Sequence, residues 1–232
     1  MLPQGQTPRA DFPRFGLTQF AERYPTRPRD RSLEVTLMAA EPIVLLDALA
    51  GLPRATIEAD FHCVTTWSTL GLRWGGVRFS VFFEHRIAPL LDRSRPPVGI
   101  VLRAQDGYRT TMHLEDLLAA DVLLADEIDG EPLSIEHGAP MRLVAPQHYG
   151  YKSLKHLAKL EFRDVQPVVK HGPLAFLDHP RARVALEERG RWFPGWFLRR
   201  LYRPLIPRTA ERFRIGMLKY WQASERSYSS GS

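Results

Sequence analysis

Cys63 is the only cysteine in the chain of 232 residues, and it stands in Phe61-His62-Cys63-Val64-Thr65-Thr66-Trp67-Ser68. A lone cysteine is most often a small buried hydrophobe. Its functional alternatives are a nucleophile and a soft metal ligand. A nucleophile needs a base and an orienting group, and in an extended chain the adjacent His62 points to the opposite face. A soft metal needs further ligands that the protein does not visibly supply, a gap that a cofactor bringing its own sulfurs would close. One cysteine excludes an internal disulfide framework, a zinc site with two or more thiolates and a c-type haem attachment.

The second constellation is Asp129-Gly130-Glu131-Pro132-Leu133-Ser134-Ile135-Glu136-His137-Gly138-Ala139-Pro140-Met141-Arg142-Leu143-Val144-Ala145-Pro146. It runs on into Gln147-His148-Tyr149-Gly150-Tyr151-Lys152-Ser153-Leu154-Lys155-His156-Leu157. Glycines and prolines fix loops here, and His137, Arg142, Lys152 and Lys155 add polar or cationic groups. A helix start at Lys152 would put Lys152 and Lys155 on one face beside free backbone N–H groups, which suits a phosphate. A solvated loop with a few cations is the commoner reason for such a pattern.

The elements that must position these residues are short. Residues 1–31 read as an extended arm, its prolines blocking regular ladders. Strands are expected over Leu33–Met38, Ala55–Asp60, Val98–Arg103, Val122–Ile128, Met141–Ala145 and Leu160–Val165, and short helices over Pro42–Leu49, Ser80–Leu91, Leu114–Ala119 and Lys152–Lys159. Asp106-Gly107 and Asp129-Gly130 are turn signals, the second suited to a tight hairpin. From Leu177 onward the pattern is helical, broken by Pro194, Pro204 and Pro207. Strands and helices alternate without the βαβ rhythm of a doubly wound sheet, so the expected class is α+β with a helical basic C-terminal segment.

Composition agrees with a folded chain: 44% of residues are hydrophobic, 25% charged, and the net charge is +6. That charge is local. Arg181 to Arg214 holds ten Arg and three Glu, a surplus of +7 that leaves the remainder at −1. The longest apolar stretch, Ile43–Leu52, is interrupted by Asp47 and is far short of a membrane span. With no export signal read in the first residues, the expected location is cytoplasmic.

The Cys-to-Trp segment at 61–68, the DGEPLSIEHGAPMRLVAP block at 129–146 and YGYKSLK at 149–155, in this order and spacing, resemble the sulfite oxidase-type molybdopterin oxidoreductases. The likeness is strongest to the short bacterial members related to the methionine sulfoxide reductase catalytic subunit, and it spans roughly residues 12–180. It implies an α+β molybdopterin-binding domain over 1–180, with 181–232 a basic helical extension packed on it. It implies a molybdenum-molybdopterin cofactor whose metal is held by the Cys63 thiolate and two dithiolene sulfurs. His137 and Arg142 then match pterin contacts, although relatives often carry Asn where His137 stands. Ser153, Leu154 and Lys155 match the stretch that wraps the pterin and its phosphate, and Arg14 and Phe15 the arm that covers it. Tyr108 matches a tyrosine beside the substrate oxygen, with Arg109 a further substrate contact. Arg109–His113 replaces small residues and a proline of the sulfite oxidases, which sets this chain apart from their sulfite specificity. Asp178-His179-Pro180-Arg181 is similar to a further family element.

The activity implied is oxygen-atom transfer to or from a small substrate of the sulfite, sulfoxide or N-oxide class, with electrons exchanged with an external donor or acceptor protein. The alternatives are a hydrolase or transferase with Cys63 as nucleophile, and a non-catalytic binding module. The latter would use Arg191-Trp192-Phe193-Pro194-Gly195-Trp196-Phe197-Leu198-Arg199-Arg200-Leu201-Tyr202-Arg203. That tail is expected to pack its aromatics on the main domain behind a solvated arginine face. Docking of an acidic redox protein comes next, peripheral membrane contact is left open, and no nucleic acid is expected as a partner.

Overall fold

The computed structural model describes residues 2–38, 40–92, 94–168 and 178–229. Eleven strands occur among them: β1 Thr7–Arg9, β2 Leu33–Leu37, β3 Ile43–Leu45, β4 Ala55–His62, β5 Trp67–Arg78, β6 Gly99–Ala104, β7 Arg109–His113, β8 Leu123–Ile128, β9 Glu131–Pro132, β10 Arg142–Val144 and β11 Leu157–Arg163. The helices are α1 Phe79–Phe82, α2 Leu114–Leu117, α3 Gly195–Tyr202 and α4 Ile206–Ser229, with short helical turns between. The architecture is α+β, two mixed sheets with helices at the C-terminal end.

One sheet has six strands built on the long β5, which pairs with β1, β4 and β8; β10 and β9 flank β8. The other has five, in the order β3-β2-β11-β6-β7. Sequence periodicity explains how they stack. Leu33, Val35, Ile100, Leu102, Leu160 and Phe162 of the five-stranded sheet share one core cluster with Val77, Leu124 and Leu143 of the six-stranded sheet. The strand neighbours Leu123, Ala125 and Val144 point the other way into a second cluster with Leu72, Trp74 and Met217. The six-stranded sheet is thus buried on both faces, which is why β8 opens on the apolar run Leu123-Leu124-Ala125 before Asp126 and Glu127 turn to Arg54. The outer face of the five-stranded sheet carries ion pairs, Lys159 with Glu34, and both Arg103 and Arg163 with Glu161. At the β5 bulge Gly76 lies against the Leu124 carbonyl, a contact that leaves no room for a Cβ.

Four local expectations are corrected. Pro42–Leu49 is not a helix: Ile43–Leu45 pairs antiparallel with β2, because β-branched Ile43 and Val44 fit a pleated edge. The arm is not wholly without ladders, since Thr7–Arg9 pairs parallel with Trp67–Thr69. Lys152–Lys159 forms no helix; His156 takes a left-handed backbone (φ 54°) and β11 begins at Leu157. Of the expected C-terminal helix, Leu177 lies outside the described residues, and residues 178–194 are turns that precede α3.

The tail departs from expectation in a further way. Leu198, Tyr202, Phe213 and Met217 pack inward, but Trp192, Phe193, Trp196 and Phe197 are exposed.

Candidate active site

Cys63 occupies the turn between β4 and β5. Its N–H donates to the Trp67 carbonyl (2.8 Å) and its carbonyl accepts from Thr66 N–H (3.1 Å), with Thr66 at φ 86° closing the turn. Three distant segments fasten this turn. Thr7 N–H donates to Thr66 O (2.9 Å) and Gln6 Nε2 to Cys63 O (3.1 Å). Gly150 N–H donates to His62 O (2.8 Å), and Gly150 lies so close to the Phe61 ring that only glycine fits. Buried Arg189 donates to Val64 O (2.6 Å) and Gln4 O (3.2 Å), ion-pairs with Glu187 and lies over the Tyr149 ring at 4.9 Å.

The Cys63 side chain faces a cavity of about 220 Å³. Among the residues proposed from the sequence, Arg14, Phe15, Cys63, Tyr108, Ser153, Leu154 and Lys155 all line it. They come from the arm, the β4–β5 turn, the loop before β7 and the loop before β11, and the fold brings them together. His137, Arg142 and Arg109 do not line it. His137 stacks on Phe12 (4.8 Å between centroids, 4° between planes) and Arg142 is fully buried behind the wall. Arg109 is exposed at the start of β7. His62, as the alternation of an extended chain requires, faces a separate depression and bonds Ser68 Oγ (2.7 Å).

Sequence reasoning missed several wall residues: Phe12, Phe20, Phe61, His156, Tyr202 and Phe213. The prolines and aromatics of the arm hint at the first two; nothing local announces Tyr202 or Phe213, which α3 and α4 bring in.

The cations are already partly committed. The Arg14 guanidinium donates to the carbonyls of Ala21 (2.6 Å), Arg23 (2.6 Å) and Phe20 (3.1 Å), and it lies over Tyr24 and Phe213. Lys155 Nζ donates to Glu136 O (2.6 Å), and burial with Arg142 and Arg14 nearby pushes its pKa well down. Lys152 does not face out to a phosphate: it is fully buried, donates to Thr111 O (2.9 Å) and pairs with Asp178 at 3.6 Å. Burial pushes the Tyr108 phenol up, so it keeps its proton, and its hydroxyl donates to Tyr151 O (3.0 Å). Cys63 Sγ lies 3.1 Å from Thr65 Oγ1. Burial raises the thiol's pKa, against the opposing pull of the Thr65 hydrogen bonds, Arg189 and Lys155. Among the described residues no imidazole hydrogen-bonds this sulfur, so the nucleophile–base contact that activates a thiol is not formed.

Two neutral histidines tie stability to pH. His156 Nδ1–H donates to Ala139 O (2.6 Å); burial, then Lys155, Arg14 and Arg142, hold its pKa down to about 3. Burial, then Lys155 and Arg142, hold His137 down to about 4. Both bind a proton more weakly folded than unfolded. Their contribution is therefore intact above the usual 6.5 and is lost as pH falls from there toward 4 and then 3. His156→Asn tolerates the left-handed backbone and removes one titrating group. Urea denaturation between pH 7 and 4 should show its stability falling less steeply than wild type, by about 1.4 kcal/mol per pH unit. An unchanged slope would refute this account of His156.

The chain belongs to the family described as "oxidoreductase molybdopterin binding domain", which it matches over residues 21–169. It is 36% identical over 132 residues to the uncharacterized oxidoreductase YuiH of Bacillus subtilis, covering 56% of this chain and 64% of that one. It is 32% identical over 118 residues to the protein-methionine-sulfoxide reductase catalytic subunit MsrP of Xanthomonas campestris, covering 46% and 36%. Among solved structures it is similar to the sulfane dehydrogenase SoxCD of Paracoccus pantotrophus, with a TM-score of 0.52, 23% identity and coverage of 67% and 44%. The chain thus spans between about a third and two thirds of the length of these relatives.

The residues present fit the cofactor that this family implies. Among the described residues no group of three or more His, Cys, Asp or Glu could hold a metal. A metal at Cys63 would therefore take its other ligands from the cofactor, and a soft thiolate is the donor it needs. Two cavity-lining residues also have orphaned polar atoms: Trp67 Nε1, a buried donor, and His156 Nε2, a buried acceptor given its tautomer. Unpaired buried groups of this kind are rare and call for a partner.

Proposed function

We propose that the domain binds a molybdenum-molybdopterin cofactor through Cys63 and catalyses oxygen-atom transfer with a small sulfoxide or N-oxide bearing apolar substituents. When bound, such a cofactor supplies two-electron oxygen-atom-transfer chemistry. The observation that carries the reading is a thiol with no imidazole bonded to it, on the wall of a cavity lined largely by aromatic rings and by Arg14, Lys155 and His156.

In this reading Cys63 holds the metal as thiolate. Ser153, Leu154 and Lys155 embrace the pterin side, Arg14 and Phe15 close the arm over it, and His137 and Arg142 support the wall from behind. Tyr108 keeps its hydroxyl proton and would hydrogen-bond a substrate oxygen by turning that hydroxyl away from the Tyr151 carbonyl. Phe15, Phe20, Tyr202 and Phe213 exclude water and receive the apolar substituents. Bare sulfite is a poorer fit: a dianion needs free cations, while Arg14 is spent on three carbonyls and Asp106 and Asp178 add negative charge to the wall. Electrons are exchanged with an external protein, and a cytoplasmic site of action belongs to the same proposal.

Protein from a molybdopterin-competent host is expected to contain molybdenum in stoichiometric amount and to release a fluorescent oxidised pterin. A dye-coupled assay run in both directions should find methyl aryl sulfoxides or aromatic N-oxides reduced faster than sulfite is oxidised. Protein free of molybdenum, or sulfite as the best substrate, would reject the proposal.

A further inference from the structure

Between Gly190 and Arg208 every ionisable or hydrogen-bonding side chain is an arginine, a tryptophan or Tyr202; the stretch has no Asp, Glu, Lys, Ser, Thr, Asn or Gln. The structure turns much of this segment outward. α3 buries Leu198 and Tyr202, while Trp196 is 57% exposed, Phe197 42% and Leu201 48%. The Phe197 ring lies 5.5 Å from Phe193 and 6.0 Å from Trp196, so the aromatics form one cluster. Exposed Leu205 extends it toward α4. Arg191, Arg200, Arg203 and Arg208 are exposed around it, and among the described residues none of the four is in an ion pair. Arg199 differs: it is turned to Glu187, fastening the helix to the domain.

We infer that this face docks on the surface of an anionic lipid bilayer. Indole and phenyl rings settle at the boundary of headgroups and acyl chains, and arginines reach back to the phosphates. Both kinds of group are present together here, with apolar Leu201 and Leu205 and no acidic side chain in the segment. No helix among the described residues is long and apolar enough to cross a membrane, so this is contact with a surface. Arginines and aromatics also suit a protein contact; the bilayer is favoured because the rings and the arginines share one continuous exposed face with no alcohol or amide side chain between them. A second copy would bring four more arginines against the first four, and like charges facing each other oppose association.

The experiment is vesicle flotation, with tryptophan emission followed in parallel, on the full chain and phosphatidylcholine vesicles with or without phosphatidylglycerol. The chain should float with the anionic vesicles, its emission should shift to the blue, and binding should weaken as salt rises. Trp196→Ser combined with Phe197→Ser should cut partitioning at least about tenfold. Arg200→Glu combined with Arg203→Glu should abolish the preference for anionic vesicles. All four side chains are outside the core, so circular dichroism should match wild type for both variants. The inference fails if low-salt anionic vesicles leave the chain in solution, or if both variants bind as wild type does. It fails equally if light scattering shows a dimer that the Trp196/Phe197 variant dissolves, which would make the face a self-association surface.

Discussion

If the proposed function holds, Cys63→Ser is expected to fold as the wild type does and to lose at least about 100-fold of the proposed oxygen-transfer activity together with most of the molybdenum that the wild type binds. The magnitude follows from a comparison: replacing groups that merely hydrogen-bond a metal ligand costs about 10–100-fold, and this change would remove the one soft ligand that the proposed function assigns to the protein. Folding should be little affected, by about 1 kcal/mol or less, because serine is nearly isosteric and Thr65 Oγ1 stays within reach of the new hydroxyl. Metal content, pterin content and thermal unfolding measured on the same preparation separate the alternatives. Intact folding with metal lost is the expected result; metal and activity at wild-type level would remove Cys63 from the chemistry.

Arg142→Ala should be the most damaging single truncation to stability, costing about 3–5 kcal/mol. The guanidinium is fully buried, and desolvation lowers its pKa to about 9, so it remains charged at neutral pH. Among the described residues no carboxylate pairs with that charge. It is held by the carbonyls of His137 (2.9 Å), Ser153 (3.0 Å) and Leu143 (3.3 Å) and by the Trp74 ring at 4.8 Å. Alanine would leave these carbonyls bare and open a void beside Trp74. Since Ser153 lines the cavity, the loss should also loosen the cofactor wall. Arg142→Lys should recover only part of the stability, because an ammonium cannot reproduce a planar fork over a ring. Urea unfolding at constant m-value measures the change; a loss under about 1 kcal/mol would show that the carbonyls find other donors.

Much of this was readable before any coordinates, and the reasons differ by element. The β8 strand and its Asp129-Gly130 turn were legible because a doubly buried strand and a tight hairpin both have local signatures. Pro42–Leu49 misled because a proline followed by apolar residues suits a helix start, whereas the pairing of Ile43–Leu45 with β2 is a contact between segments. The stretch after Lys152 misled for a related reason. Its helical spacing is overridden by long-range bonds, Lys152 to Thr111 and Lys155 to Glu136. At the site, Cys63 and the loop from Ser153 to Lys155 could be named because their types and order carry the resemblance. The aromatic walls could not, since Phe20 and Phe213 meet only after the chain has folded. The outward aromatics of α3 ran against the ordinary rule that large rings are buried.

Arg189 joins Gln4, Val64 and Glu187 through one guanidinium, and the cavity takes walls both from the first twenty residues and from Tyr202 and Phe213. The chamber is therefore closed by segments from far apart in the sequence, and it exists as an enclosed space only once both have docked on the turn that carries Cys63.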